Sequence, residues 1–235
     1  LEFRRVLFRS GWRRANVISQ CAILLLSLST VASWAESQPK QTSEGASIVN
    51  TQCVACHRIA GQPMPRSTKK APDLIWAGNK YQRPWLVSWL QHPKEKLYPV
   101  GYDFNVTRKG PHRSLAAVEA EQVADFLGTL KDQRVKDQVM RPATPEELAR
   151  GKQLYREHAC QNCHWTPAST KRGYTGGTSS TSLLNAGNRL QADWMYQFNS
   201  NPNDFVPESG AYLPNPPLPE KDIFAMTAYI MTFGK

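Results

Sequence analysis

Four of the five cysteines in this 235-residue chain fall into two copies of one pattern, Cys53-Val54-Ala55-Cys56-His57 and Cys160-Gln161-Asn162-Cys163-His164. Two thiols at this spacing can add covalently to the vinyl groups of one porphyrin, and the adjoining imidazole can ligate its iron. Cys-x-x-Cys-His is the attachment signature of haem c. Cys53, Cys56, Cys160 and Cys163 are therefore the candidate attachment points for two covalently bound haems. His57 and His164 are the candidate iron ligands by position.

Two other chemistries use similar residues. Ribbon-type zinc sites place their cysteine pairs about 15–20 residues apart. Here 103 residues separate Cys56 from Cys160, and each pair carries its own histidine. A thioredoxin-like disulfide needs a βαβ setting, and no alternating strand pattern surrounds either pair.

The N-terminal segment reads as processing signals rather than fold. Leu1–Ser10 resembles the translation of a sequencing-adapter oligonucleotide and is set aside; with no initiating Met, the natural start is expected upstream. Arg13 and Arg14 then form a positive n-region, and Cys21–Ala32 a short, mostly apolar run. Ser33-Trp34-Ala35 offers small residues for cleavage after Ala35, so residues 1–35 are expected to be scar plus signal peptide. The alternative is an uncleaved anchor over Val17–Ala35, which is short and rich in Ser for a bilayer span. Cys21, at the start of the apolar run, reads as filler and not as a lipidation site. Without residues 1–35 the net charge falls from +10 to +6. That excess is spread out and suggests an acidic partner or anionic surface; Lys69-Lys70 and Lys94 with Lys96 read as solvated faces. Nothing points to nucleic acid, and a membrane enters only through an uncleaved N-terminus.

The elements that must position the motifs come in duplicate. Asn79-Lys80-Tyr81-Gln82-Arg83-Pro84-Trp85-Leu86 recurs as Asn188-Arg189-Leu190-Gln191-Ala192-Asp193-Trp194-Met195. Gly78 and Gly187 precede the two copies, and His92-Pro93 and Asn201-Pro202 follow them. Val123–Leu127 corresponds to Met226–Ile230. This is an internal repeat. It predicts domains at 36–131 and 144–235, joined by a charged, apolar-poor linker at 132–143. Each half reads as three main helices: Ala46–Cys53 and Glu146–Cys160 leading into the motif, Arg83–Gln91 and Ala192–Ser200 carrying the Trp, and Ala116–Leu130 and Glu220–Phe233 closing the domain. Thr144-Pro145-Glu146-Glu147 has the form of a capping box with Pro at N1. No hairpin is expected. The fold class is all-α, two helical domains in tandem. Cores this small need a staple, and a bonded porphyrin supplies one, so the chain without haem is expected to fold poorly.

With this order of elements both halves resemble class I cytochrome c domains, over roughly residues 43–131 and 144–235. The resemblance implies that Gly45 lets Phe126 cross closely, and Gly151 likewise Tyr229. It also implies that the Pro72 carbonyl accepts a hydrogen bond from the proximal imidazole. The second half has Thr181-Ser182-Leu183 where a proline is expected. In the family the sixth ligand is usually a Met before the last helix. The first half instead has Lys109-Gly110-Pro111-His112, which makes His112 the candidate ligand. His92 is weaker, because its repeat partner is Asn201, and Met64 reads as a loop residue. In the second half Leu213 stands at the Met position and cannot bind iron. Met195, Met226 and Met231 sit at core spacing, and Met140 and His158 are unsupported as ligands.

These residues imply an exported, periplasmic dihaem electron carrier that cycles Fe(III)/Fe(II) between redox proteins. The rival is an enzyme or gas sensor, peroxidase-like, at an open second haem. Its motive is Leu213, with Tyr212 and Asn215 nearby. No convergent set of acid, base and nucleophile exists outside the motifs.

Overall fold

The computed structural model describes residues 37–64, 71–93, 112–207 and 217–235. The chain divides into two compact units, residues 1–38 and 39–235, and both repeats lie in the second apart from the first residues of the first. The scar, the signal segment with Cys21, the four lysines at 69, 70, 94 and 96, Pro111, and the loop with Tyr212, Leu213 and Asn215 lie outside the described residues.

The first repeat runs α1 (Ser37–Ile48), a wider π-type turn (Val49–Cys53), α2 (Ala77–Lys80), α3 (Arg83–Gln91) and α4 (Ala117–Thr129). The second runs α5 (Pro145–Glu157), a 3-10 turn (Cys160–Asn162), α6 (Ala186–Arg189), α7 (Ala192–Ser200), a 3-10 turn (Pro202–Asp204) and α8 (Glu220–Ile230). Both Trp-bearing helices have the bounds expected from sequence. The motif-approaching helices differ. The first begins nine residues earlier and widens before Cys53. The second stops at Glu157, because Ala159 takes a left-handed conformation with φ 52°. A non-glycine residue there breaks the helical hydrogen-bond run.

In each repeat the first and last helices cross at a glycine. A Cβ on Gly45 would overlap the Gln122 carbonyl oxygen of α4, and one on Gly151 the Ala225 carbonyl of α8. The Cβ atoms of Phe126 and Tyr229 flank these points, at 3.0 and 2.9 Å from where the added atom would sit. The crossings implied by the family resemblance are thus present. Around them the first core gathers Val49, Leu86, Leu90, Val123 and Leu127, and the second Leu154, Trp194, Phe205, Met226 and Ile230. Met195 and Met231 are also buried in the second core.

One expectation fails. Thr166–Pro167 pairs antiparallel with Tyr174–Thr175 as a short β-hairpin, β1 and β2. Two-residue strands carry no alternation for sequence to reveal. The turn is held by Gly173, at φ 73°, whose N–H donates to the Thr170 carbonyl at 2.8 Å. The capping box at Thr144 forms as read: its N–H donates to Glu147 at 2.8 Å, and its hydroxyl accepts from the Glu147 N–H at 3.3 Å.

The repeats meet through a near-symmetric clasp. The Gln82 side chain donates to the Gly187 and Leu190 carbonyls at 2.8 and 2.6 Å. Gln191 donates to those of Gly78 and Tyr81 at 2.8 and 3.0 Å. Backbone N–H groups of Gln82 and Gln191 bond Arg189 and Lys80 across the same seam. Lys80 lies over the Trp194 ring (4.7 Å) and Arg189 over Trp85 (6.0 Å), again across repeats. Such reciprocity is the mark of a twofold interface. Residues 132–143 are tied to both sides. The Asp132 N–H bonds Asn79, those of Gln138 and Met140 bond the Asp193 carboxylate, and Val135 enters the second core.

Candidate haem sites

Each Cys-x-x-Cys-His segment is one tight turn. In the first, the N–H groups of Cys56 and His57 return to the Cys53 carbonyl at 3.0 and 2.9 Å; in the second, those of Cys163 and His164 return to Cys160 at 3.2 and 3.1 Å. All four cysteines are free thiols. Burial pushes the Cys53 thiol above its ordinary range and Cys160 up to about 11. The first cysteine of each pair thus sits in partly apolar ground, and Cys56 is exposed. The pairs do not converge: among the described residues no three His, Cys, Asp or Glu side chains gather as a ligand set.

Both motif imidazoles are oriented by backbone. His57 Nδ1 donates to the Pro72 carbonyl at 2.7 Å, and His164 Nδ1 to the Thr181 carbonyl at 2.6 Å. A carbonyl can only accept, so each ring carries its hydrogen on Nδ1 and presents Nε2 as the basic nitrogen. Such an outer hydrogen bond fixes the tautomer and orientation of a metal-ligating histidine. The departure at Thr181 costs nothing, because the accepting atom belongs to the main chain. The carbonyl-bearing strap is held against the motif in the same way in both repeats. Leu74 N–H donates to Arg58 at 2.7 Å, and Leu183 N–H to Trp165 at 2.9 Å. Around His164 the strap is further tied by Ser180 N–H to Cys163 (3.0 Å) and Gly177 N–H to Gln161 (2.9 Å). Burial first, and then the Arg189 charge, hold His164 below its ordinary range against the opposing Thr181 bond.

His112 stands just before α4. Its ring centroid lies 6.2 Å from that of His57 and 4.6 Å from that of Trp89. Its Nδ1 donates to the Arg113 carbonyl at 2.8 Å. Two imidazoles bound to one first-row metal at about 2 Å each have centroids about 6 Å apart, so the spacing fits one iron. The residues present therefore fit the group: paired free thiols, an anchored proximal imidazole in each repeat, and a second imidazole nearby in the first. His92 is exposed at the end of α3. Met64 gives its N–H to Asp73, Met140 gives its N–H to Asp193, and His158 caps α5.

Sequence reading missed a ladder of rings along α3. Tyr81 stacks on Trp85 (5.5 Å), Trp85 on Trp89 (5.8 Å), and Trp89 meets His112. The second repeat stacks Trp194 on Phe198 at 5.1 Å. The signal was the i, i+4 spacing of aromatics, which places them on one helix face. It also missed Arg189, which is 2% exposed and donates to the Ser182 carbonyl at 2.6 Å.

Searches of curated proteins and of solved structures found no match. A family model described as Cytochrome c matches twice in tandem, over residues 42–131 and 148–234. The matches cover both thiol–imidazole turns, both carbonyl straps and both glycine crossings, and the chain belongs to the cytochrome c family, whose domains bind haem c covalently and transfer electrons through it.

Proposed function

We propose that this protein is a dihaem electron carrier of the periplasm, working between a donor and an acceptor redox protein. The observation that carries this reading is the repeated backbone anchor: His57 Nδ1 on Pro72 and His164 Nδ1 on Thr181, each beside its own thiol pair. One haem per repeat is the stoichiometry this supports. Bound haem supplies the Fe(III)/Fe(II) couple. Cys53, Cys56, Cys160 and Cys163 would tether it through thioether bonds, and His57 and His164 would offer Nε2 to the iron. His112 would be the second imidazole ligand of the first iron. The clasp at Gln82 and Gln191 fixes the distance between the repeats, so that neither site must reorganise by domain motion.

Export supports the chemistry of the cysteines, because haem c is attached outside the bacterial cytoplasm, as the resemblance implies. No helix among the described residues is long and apolar enough to cross a membrane.

The test is spectroscopic. The purified protein should hold two haems per chain by haemochrome assay, and show bis-imidazole low-spin features for one of them. A single haem per chain would refute the dihaem carrier. Carbon monoxide binding to the reduced second haem, with turnover of peroxide, would replace the carrier with an enzyme.

A further inference from the structure

A cleft of about 550 Å³ lies along the β1–β2 hairpin that follows the second motif. Small-molecule sites span about 300–1,000 Å³, so its size fits one. None of the motif thiols or imidazoles lines it, and the haem reading leaves it unassigned. Its wall is aromatic. The half-buried rings of Trp165 and Tyr174 meet there with centroids 4.9 Å apart and planes tilted by 41°. Its rim is cationic. Lys171 and Arg172, in the hairpin turn, line the cleft and are exposed. Arg83, Arg134, Arg141 and Arg150 each pair with a carboxylate. Among the described residues Lys171 and Arg172 pair with none, and no described residue lining the cleft is acidic. The shape is fixed in advance. Thr170 Oγ1 donates to the Tyr174 carbonyl at 3.0 Å, and the Ala168 N–H to the Gly173 carbonyl at 3.2 Å, which closes the turn. A Cβ on Gly176 would overlap the His164 carbonyl oxygen, and one on Gly177 the Asn162 carbonyl. The chain leaving β2 is therefore seated directly on the motif turn. A site built this way orders little when it binds, which lowers the entropic cost.

We infer that this cleft binds a small planar anion, an aromatic carboxylate or sulfonate. The flat ring lies against Trp165 and Tyr174, and the anionic group meets Lys171 and Arg172. Hydrogen bonds between ionised partners are stronger than neutral ones, and a guanidinium can hold two oxygens of one acid group. The Thr175 and Thr178 hydroxyls, also in the lining, add neutral donors. Rings alone would admit any flat molecule, and cations alone any anion. Together on one cleft they select a ligand that is both. The inference goes beyond electron carriage and does not depend on how either iron is ligated.

The experiment is a titration of the haem-loaded protein with 2-naphthoate, followed by calorimetry and by NMR of the Trp165 and Tyr174 ring signals. One site per chain is expected, with both rings shifting and the affinity falling as salt is raised. Replacing both cations, Lys171→Gln with Arg172→Gln, should weaken binding about fivefold to tenfold. Both side chains are exposed, so this double variant should keep the wild-type circular dichroism and haem content. Tyr174→Leu should weaken binding about threefold to tenfold. The neutral analogue 2-naphthamide and the ringless anion acetate should each bind far more weakly than 2-naphthoate. No heat and unmoved ring signals at millimolar 2-naphthoate would overturn the inference. So would 2-naphthamide or acetate binding as tightly as 2-naphthoate, or an unchanged affinity in the double variant.

Discussion

The His57 and His112 rings lie with centroids 6.2 Å apart and planes tilted by 58°, and each gives its Nδ1 hydrogen to a backbone carbonyl, of Pro72 and of Arg113. Two imidazoles held in the same tautomer at this spacing are the pair of nitrogen donors proposed for the first iron. The Trp89 ring at 4.6 Å backs the outer imidazole. His112→Ala should therefore convert the first haem to a form that is high-spin or open to carbon monoxide, removing its bis-imidazole low-spin signal in electron paramagnetic resonance. His112→Met should keep that haem six-coordinate and raise its potential, since Met ligation raises the potential of haem iron. Spectra identical to wild type in both variants would remove His112 from the iron.

The helix crossings give a stability prediction with opposite signs at two glycines. In a helix interior, Gly→Ala ordinarily stabilises by about 0.5–1 kcal/mol. Gly128, in the last turn of α4, has open space where a Cβ would go, so Gly128→Ala should show that gain. At Gly151 the added Cβ would overlap the Ala225 carbonyl, a backbone atom that cannot swing aside. Overpacking of this kind costs about 1–3 kcal/mol or more, which outweighs the helical gain. Guanidinium unfolding of the haem-loaded protein should move the midpoint up for Gly128→Ala and down for Gly151→Ala. A neutral Gly151→Ala would mean that α5 and α8 are free to separate.

Much of this site was legible because its chemistry is local in sequence. Cys53 to His57 and Cys160 to His164 are single turns, and a duplicated pattern placed the helices around them. Arg83–Gln91 and Ala192–Ser200 were readable to the residue, since Pro84 or a repeat match sets the start and Asn or His followed by Pro sets the stop. The contacts that finish the site are long-range and main-chain in character. The bond from His164 to Thr181 spans 17 residues and ends on a carbonyl that every residue type possesses. The proline rule suggested by Pro72 therefore had no purchase there. Arg189 read as one basic residue among many, because only tertiary packing decides that it is buried while Lys80 lies over the seam. The hairpin at Thr166–Pro167 was too short to have a period.

The start of α5 carries a pH dependence whose sign follows from its partners. Glu147 accepts from Arg141 Nη2 at 2.6 Å and from the Thr144 N–H at 2.8 Å. The Arg141 bond first, and the Thr144 bond second, hold its carboxyl down to about 2, well below the ordinary glutamate range. An unfolded chain takes up a proton on Glu147 near the ordinary value, whereas the folded chain resists until about pH 2. Between these values the unfolded state binds more protons, so stability rises with pH. The contribution is complete above the unfolded value and disappears as pH falls through about 2. Glu147→Gln isolates it, because a glutamine at the third helical position still closes the capping box with Thr144 but neither titrates nor pairs with Arg141. Wild type should thus be the more stable of the two at pH 7, and the gap should close between about pH 4.5 and 2. The pair is solvent-exposed, so the gap should be small and should shrink in high salt. Carboxylates remote from Glu147 titrate equally in both proteins and cancel in the comparison, and the neighbouring Glu146, which the Glu147 charge raises, adds only a smaller change of its own. Urea midpoints of the two haem-loaded proteins at pH 7, 5, 4 and 3 measure it. A gap that persists unchanged to pH 3 would assign the effect to packing of the side chain instead of its charge.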